Sequence, residues 1–187
     1  KNPKLEKAFT LAPQNRQNNL EVAENLYKEI LKKDPNNFQS NFFLGILSAQ
    51  TKKFDIATQL LNKATEIDPD NMDAHNNLGN VLRELGVHQK AISSYQKAIE
   101  IQPDYANAHN NLGNVLKELG EYQKAISSYQ KALKLKSDFV DAQANISNIY
   151  ITQLDNLEKA ISASYKTLKM QYRTFKFINQ RISLYRL

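Results

Sequence analysis

The chain has 187 residues, 41% of them hydrophobic, and its 25 Lys and Arg against 19 Asp and Glu give a formal net charge of +6. That length fits one domain or a small array, and no apolar run approaches the ~18 residues a bilayer span needs. Cysteine is absent, which excludes a disulfide framework, a thiolate metal site and a cysteine nucleophile, and fits a reducing, cytoplasmic place of work.

The charge is unevenly placed. After Glu158 there is no acid, and Lys166, Lys169, Arg173, Lys176, Arg181 and Arg186 crowd the end of the chain. Without those six, the remaining bases equal the 19 acids. A neutral body with a basic tail argues against nucleic acid as a partner, because phosphate binding needs a sustained basic stripe. Residues 1–10 are charged and do not read as a signal peptide. A start at Lys1 without an initiator methionine reads as an excised piece.

The chain repeats itself at an interval of 34 residues. AHNNLGNVL at 74–82 returns at 108–116, and QKAISSYQKA at 89–98 returns at 123–132. Fainter copies extend the period both ways. Leu44-Gly45, Leu78-Gly79 and Leu112-Gly113 align, followed by Ile146-Ser147. Ala23, Ala57, Ala91 and Ala125 align, and Ala160 joins them after one inserted residue near 154–156. Pro35, Pro69 and Pro103 align, with Ser137 in the fourth place.

Five units are predicted in chain order: 4–37, 38–71, 72–105, 106–139 and 140–174, an array over 1–174. Each reads as two amphipathic helices. In the first unit, Pro13 and the run QNRQNN interrupt the leading helix, whereas NLEVAENLYKEILKKDP makes a good second one. Gly86 and Gly120 are placed to end the first helix of their units, since glycine takes the left-handed C-cap cheaply. The prolines fall just past the second helix, where a helix does not easily continue. A separate final helix is expected within about 173–187, with Tyr172, Phe175, Ile178, Ile182 and Tyr185 as its apolar stripe. Residues 175–187 would then form a C-terminal cap or lead into a further domain.

This period and punctuation resemble the tetratricopeptide repeat, a helix–turn–helix unit. The third unit carries the pattern as His75, Leu78-Gly79, Leu82, Ala91, Tyr95, Ala98 and Pro103. The fourth carries it as His109, Leu112-Gly113, Leu116, Ala125, Tyr129, Ala132 and Ser137. The resemblance implies an all-α, right-handed superhelical solenoid of about five units plus a C-terminal capping helix. It also implies a protein-interaction scaffold whose partner is a protein or peptide.

Within a unit, positions 3, 4, 7, 8 and 11 read as core, and positions 2, 5, 6, 9, 12 and 13 form the opposite stripe. In the family that stripe lines the concave groove. Here it carries Asn76, Asn77 and Asn80 in the third unit, then Asn107, Asn110, Asn111 and Asn114, then Asn145 and Asn148, with Arg83 and Lys117 at position 12. Phe42 and Phe43 in the second unit make an aromatic end to this row. A carboxamide has a donor and an acceptor and no charge, so a row of them suits an extended peptide backbone. The stripe resembles the superhelix of O-linked N-acetylglucosamine transferases, which implies that Asn77, Asn111 and Asn145 hold peptide backbone. Phe43 departs from that ladder. Two other readings stand beside peptide binding: the asparagines are solvated, or they bond between units. A second functional reading is the substrate-recognition arm of a larger enzyme such as a glycosyltransferase, with its catalytic domain outside residues 1–187.

No cofactor and no catalysis are expected. His75 and His109 hold a packing position, His88 sits in a turn, and neither a nucleophile–base set nor a Gly-rich phosphate loop is present. The family's carboxylate clamp needs Lys or Arg at positions 2 and 6, where this chain has Asp73, Asn107, Asp141 and the asparagines. The basic end reads as a cap with a solvated face, as a contact for anionic lipid or nucleic acid, or as the lead-in to another domain. Oligomeric state is left open.

Overall fold

The computed structural model describes residues 3–4, 6–7, 17–152 and 157–184. Among them helix follows helix without a strand: α1 Gln17–Lys33, α2 Phe38–Gln50, α3 Phe54–Ile67, α4 Met72–Glu84, α5 His88–Ile101, α6 Ala106–Glu118, α7 Tyr122–Leu135, α8 Val140–Thr152 and α9 Leu157–Leu184. They fall into two compact bodies, Lys1–Pro103 and Asp104–Leu187. The N-terminal body holds α1 and the hairpins α2–α3 and α4–α5. The C-terminal body holds the hairpins α6–α7 and α8–α9.

Each hairpin closes on small residues. Ala57, Ala64, Ala74, Ala91 and Ala98 in the first body, and Ala108, Ala125, Ala132 and Ala142 in the second, are wholly buried. At Gly113 an added Cβ would stand 2.6 Å from Cε1 of Tyr129, and at Gly79 it would stand 2.6 Å from Cε1 of Tyr95. The tyrosine ring therefore occupies the space that the missing side chain leaves. That is why a Leu-Gly pair recurs in helices whose intrinsic propensities would favour alanine.

The turns inside hairpins α2–α3, α4–α5 and α6–α7 share one geometry. Gly86 (φ 72°) and Gly120 (φ 76°) take the left-handed C-cap. Val87 N–H donates to the Leu82 carbonyl and Gly86 N–H to that of Arg83, both at 2.8 Å, the paired bonds of a Schellman turn. The α2–α3 turn makes the same bonds with Lys52 at φ 59°, a conformation that costs a residue with a Cβ.

Two helices of the N-terminal body, α2 and α4, start on asparagine caps. In the N-terminal body, Asn37 Oδ1 accepts from the Ser40 N–H at 3.0 Å, and Asn71 Oδ1 from the Ala74 N–H at 3.1 Å. Each of these asparagines also donates to the aspartate three residues before it, Asp34 or Asp68. Asn41 Nδ2 then donates to the Pro35 carbonyl at 3.0 Å, and His75 Nε2 donates to the Pro69 carbonyl at 2.9 Å. The packing position thus ties each helix back to the proline turn before it. In the C-terminal body α6 begins after Tyr105, with no side-chain cap.

In the N-terminal body, Glu24 joins α1 to the start of α3, accepting from Lys28 at 2.6 Å and from Lys53 at 3.0 Å. Its carboxyl is held below the usual range by the Lys28 hydrogen bond, against a partly offsetting loss of solvent, with Lys53 adding to the lowering. Burial alone pushes the Tyr27 phenol up to about 12.

The end of the chain differs from the expectation. α9 runs unbroken from Leu157 to Leu184, so the second helix of the fifth unit and the expected separate cap are one element. No glycine or proline interrupts the sequence after Gly120, and nothing local stops the helix near 174. The interrupted helix expected early in 4–37 lies largely outside the described residues. So do the inserted 154–156, the side chains of Phe175, Ile178 and Ile182, and Tyr185.

Candidate functional site

The asparagines divide by position. Asn76 and Asn110, at position 5, are buried, and so is Phe42. They do not lie open on a groove, as the stripe pattern expects. Position 5 lies about 60° round the helix from core position 8, and position 6 lies as far from core position 3, so spacing along the helix does not separate the buried position from its half-buried neighbour. Asn110 Oδ1 has no hydrogen-bond partner. Phe42 packs edge-on against Phe43 with ring centroids 5.0 Å apart, and parallel to Phe38 at 5.6 Å. Phe43 is half-buried and stacks on Tyr27 at 6.3 Å. The aromatic end of the row is thus part of the N-terminal core.

At position 9 the asparagine has a partner that the repeat pattern assigns to the scaffold. Tyr95 Oη donates to Asn80 Oδ1 at 2.8 Å, and Tyr129 Oη donates to Asn114 Oδ1 at 2.8 Å. Both rings are wholly buried, so each phenol needs an acceptor at the rim of the core. The signal was present in the sequence. Where the second helix has Tyr95 or Tyr129, position 9 is Asn; where it has Leu61, position 9 is Ile46.

At position 6, Asn77 Nδ2 bonds the Asp73 carbonyl of its own helix at 2.8 Å. Asn145 does more. Lys117 Nζ donates to Asn145 Oδ1 at 2.8 Å, and Asn145 Nδ2 donates to Asn114 Oδ1 at 3.2 Å. A single chain of bonds therefore links α6, α7 and α8 within the C-terminal body. Its polarity is set from one end. An ammonium can only donate, so the Asn145 atom facing Lys117 is the oxygen. Its nitrogen then faces Asn114, which must present its oxygen, and Tyr129 must donate as well. The Asn114 oxygen, with two donors, is filled. The hydrogens left over are both N–H of Asn114, one of Asn145 and two of Lys117.

Asn107 and Asn148 are exposed, and Asn111 is half-buried. In the N-terminal body Arg83 is half-buried and pairs with Glu84 at 2.7 Å. Among the described residues no group of His, Asp and Glu could hold a metal ion, and no helix is long and apolar enough to cross a membrane.

The arrangement matches known repeat proteins. Tetratricopeptide repeat models match residues 70–138 and 107–172, and a TPR repeat model matches 49–86. A crystal structure of MamA is 29% identical over 86% of this chain and 93% of its own, with a TM-score of 0.80. MamA from Desulfovibrio magneticus RS-1, from residue 41 to its end, is 18% identical over 92% of this chain and 97% of its own, with a TM-score of 0.80. YrrB, described as a TPR protein with an unusual peptide-binding site, is 23% identical over 96% of this chain and 90% of its own, with a TM-score of 0.74. No curated protein matches the chain in sequence. The repeat period, the small-residue hairpins, the family models and the shared all-α solenoid fold agree, and the chain belongs to the tetratricopeptide repeat family.

Proposed function

We propose that this chain is an interaction module that binds an extended segment of a partner protein, and that its C-terminal body recognises oxygen acceptors on that segment. The observation that carries this reading is the bond chain from Lys117 through Asn145 to Asn114, closed by Tyr129. It turns the Asn114 oxygen inward and leaves N–H groups over. Such a surface has more donors than acceptors to offer, so it pairs more readily with backbone carbonyls and with Asp or Glu carboxylates than with a backbone N–H. The Lys117 ammonium adds charge, which strengthens a bond to a carboxylate. Exposed Asn107 and Asn148 extend the same polar face. Binding rather than catalysis is the proposed role, and a reducing, cytoplasmic setting suits a chain without cysteine.

A peptide-library selection with the intact chain and with a Lys117→Met/Asn145→Ala variant tests this. The expected result is enrichment of peptides with Asp or Glu, and at least a tenfold loss of affinity for them in the variant, about 1.4 kcal/mol. Circular dichroism should show unchanged helix content. Retention of the same peptides at equal affinity would remove the basis of the proposal.

A further inference from the structure

The last helix presents a second surface, independent of the asparagines. On α9, Ile161, Tyr165, Leu168 and Tyr172 recur at spacings of four, three and four, and each is between 61% and 67% exposed. The spacing puts them on one face. The opposite side, roughly 150° round the helix, carries buried Ala163 and half-buried Thr167, which hold α9 to α8. There Gln143 Nε2 donates to the Ala163 carbonyl at 3.3 Å, and the Ser147 and Thr167 hydroxyls meet at 3.4 Å. The apolar face is therefore not the one α9 uses within its own body.

The preceding hairpin shows what such a face accepts. With the one-residue insertion, Ile161 and Leu168 occupy the places of Ile126 and Leu133 on α7. Ile126 is only 4% exposed, and besides its hairpin partner α6 the helix that packs on α7 in this body is α8. A helix is thus the shape the repeat lays on this face. Tyr165 and Tyr172, however, stand where α7 and the turn after it have the exposed, polar Gln130 and Ser137. An unfinished repeat would expose the Ile and Leu positions alone. Two added tyrosines widen the apolar face in the way docking surfaces are built, with large and rather rigid amphipathic rings.

Charge selects the occupant. Exposed Lys169 borders the stripe on the same edge as exposed Glu158 at the helix start, and every charged residue after Glu158 is basic. A second copy laid parallel along α9 would set Lys169 against its own equivalent. An amphipathic helix with acidic residues along one edge would match both the stripe and the charge. We infer that the exposed face of α9 docks an acidic amphipathic helix of a partner protein, in the place where a sixth unit's first helix would lie.

The test uses the whole chain and two fluorescein-labelled peptides copying residues 138–152, the segment that includes α8. One carries Glu at the positions of Ala144 and Asn148, the other Lys. Fluorescence anisotropy should show the Glu peptide binding at least tenfold more tightly than the Lys peptide. Its affinity should fall at least tenfold with Leu168→Ser and several-fold with Lys169→Glu. Both sites are exposed, so unchanged circular dichroism and melting are expected of both variants. Equal binding of the two peptides, or none, overturns the proposal. A concentration-dependent dimer in sedimentation that Leu168→Ser abolishes assigns the face to a second copy instead. Co-sedimentation with phosphatidylserine vesicles that Leu168→Ser abolishes assigns it to lipid. Either of these outcomes overturns it too.

Discussion

Hairpin α2–α3 of the N-terminal body and hairpin α6–α7 of the C-terminal body build one scaffold with opposite chemistry. The first places Phe43, Ile46 and Leu61 where the second places Asn111, Asn114 and Tyr129. The first also turns on Lys52, and the second on Gly120. The difference teaches that in the second to fourth units position 9 goes with what lies beneath it, whereas Asn148 of the fifth has Ser164 in the tyrosine's place. A buried leucine needs nothing from position 9 and is met by isoleucine. A buried tyrosine needs an acceptor and is met by asparagine. The asparagine row is therefore in part a consequence of the core, and only what that core leaves unused is available to a ligand.

The most damaging way to probe this comparison is to fill the space under the ring. Gly113→Ala sets a Cβ 2.6 Å from Cε1 of Tyr129, a planar side chain pinned at its far end by the bond to Asn114. The ring has no easy way to yield, and the substitution should cost about 3 kcal/mol. The matching Gly45→Ala meets Cγ of Leu61 at 2.8 Å, where a branched aliphatic chain rotates away more readily. It should cost about half as much. Urea denaturation of both variants measures the difference, and equal losses would mean that the two hairpins do not pack as differently as their side chains suggest.

A smaller effect follows from exchanging the pair itself. Asn114→Ile leaves the Tyr129 hydroxyl buried without its acceptor and strips Asn145 of a partner, for a loss of about 2 kcal/mol. Tyr129→Leu alone removes ring volume and leaves Asn114 short of a donor. The two together reproduce the Ile46 and Leu61 pair, and the double variant should be less destabilised than the sum of the singles by about 1–2 kcal/mol. Strict additivity of the three denaturation energies would show that the asparagine does not serve the tyrosine.

The same two hairpins show how far the sequence could be read. The 34-residue period, the helix pairs, and the glycines that admit Tyr95 and Tyr129 follow from spacing and residue size, because those constraints act within one unit. The asparagine stripe was legible as a stripe, but the occupation of its members was not. Asn76 and Asn110 lie within the stripe and are buried, which spacing along one helix does not reveal. The bond from Asn145 to Asn114 spans two hairpins, which periodicity within a helix does not describe. The unbroken α9 was missed for a related reason: the repeat pattern expects a stop near 174, and the local sequence supplies no breaker there.

The mildest change acts on the turn. Lys52 holds φ at 59° in the bond pattern that Gly86 makes with a comparable backbone. Lys52→Gly removes the Cβ conflict of the left-handed conformation and loses some stability because a glycine frees the unfolded chain. The first term exceeds the second where φ is firmly positive, so the variant should gain about 0.5–1 kcal/mol. The gain should appear as a raised melting temperature with no change in helix content. The reverse substitution, Gly120→Lys, should lose a similar amount, because nothing lies within 4 Å of a Cβ added at Gly120 and the penalty there is conformational alone. Opposite signs for the two variants would make the turn a property of φ shared by both hairpins. A loss in both would instead give the Lys52 side chain a local role that α6–α7 lacks.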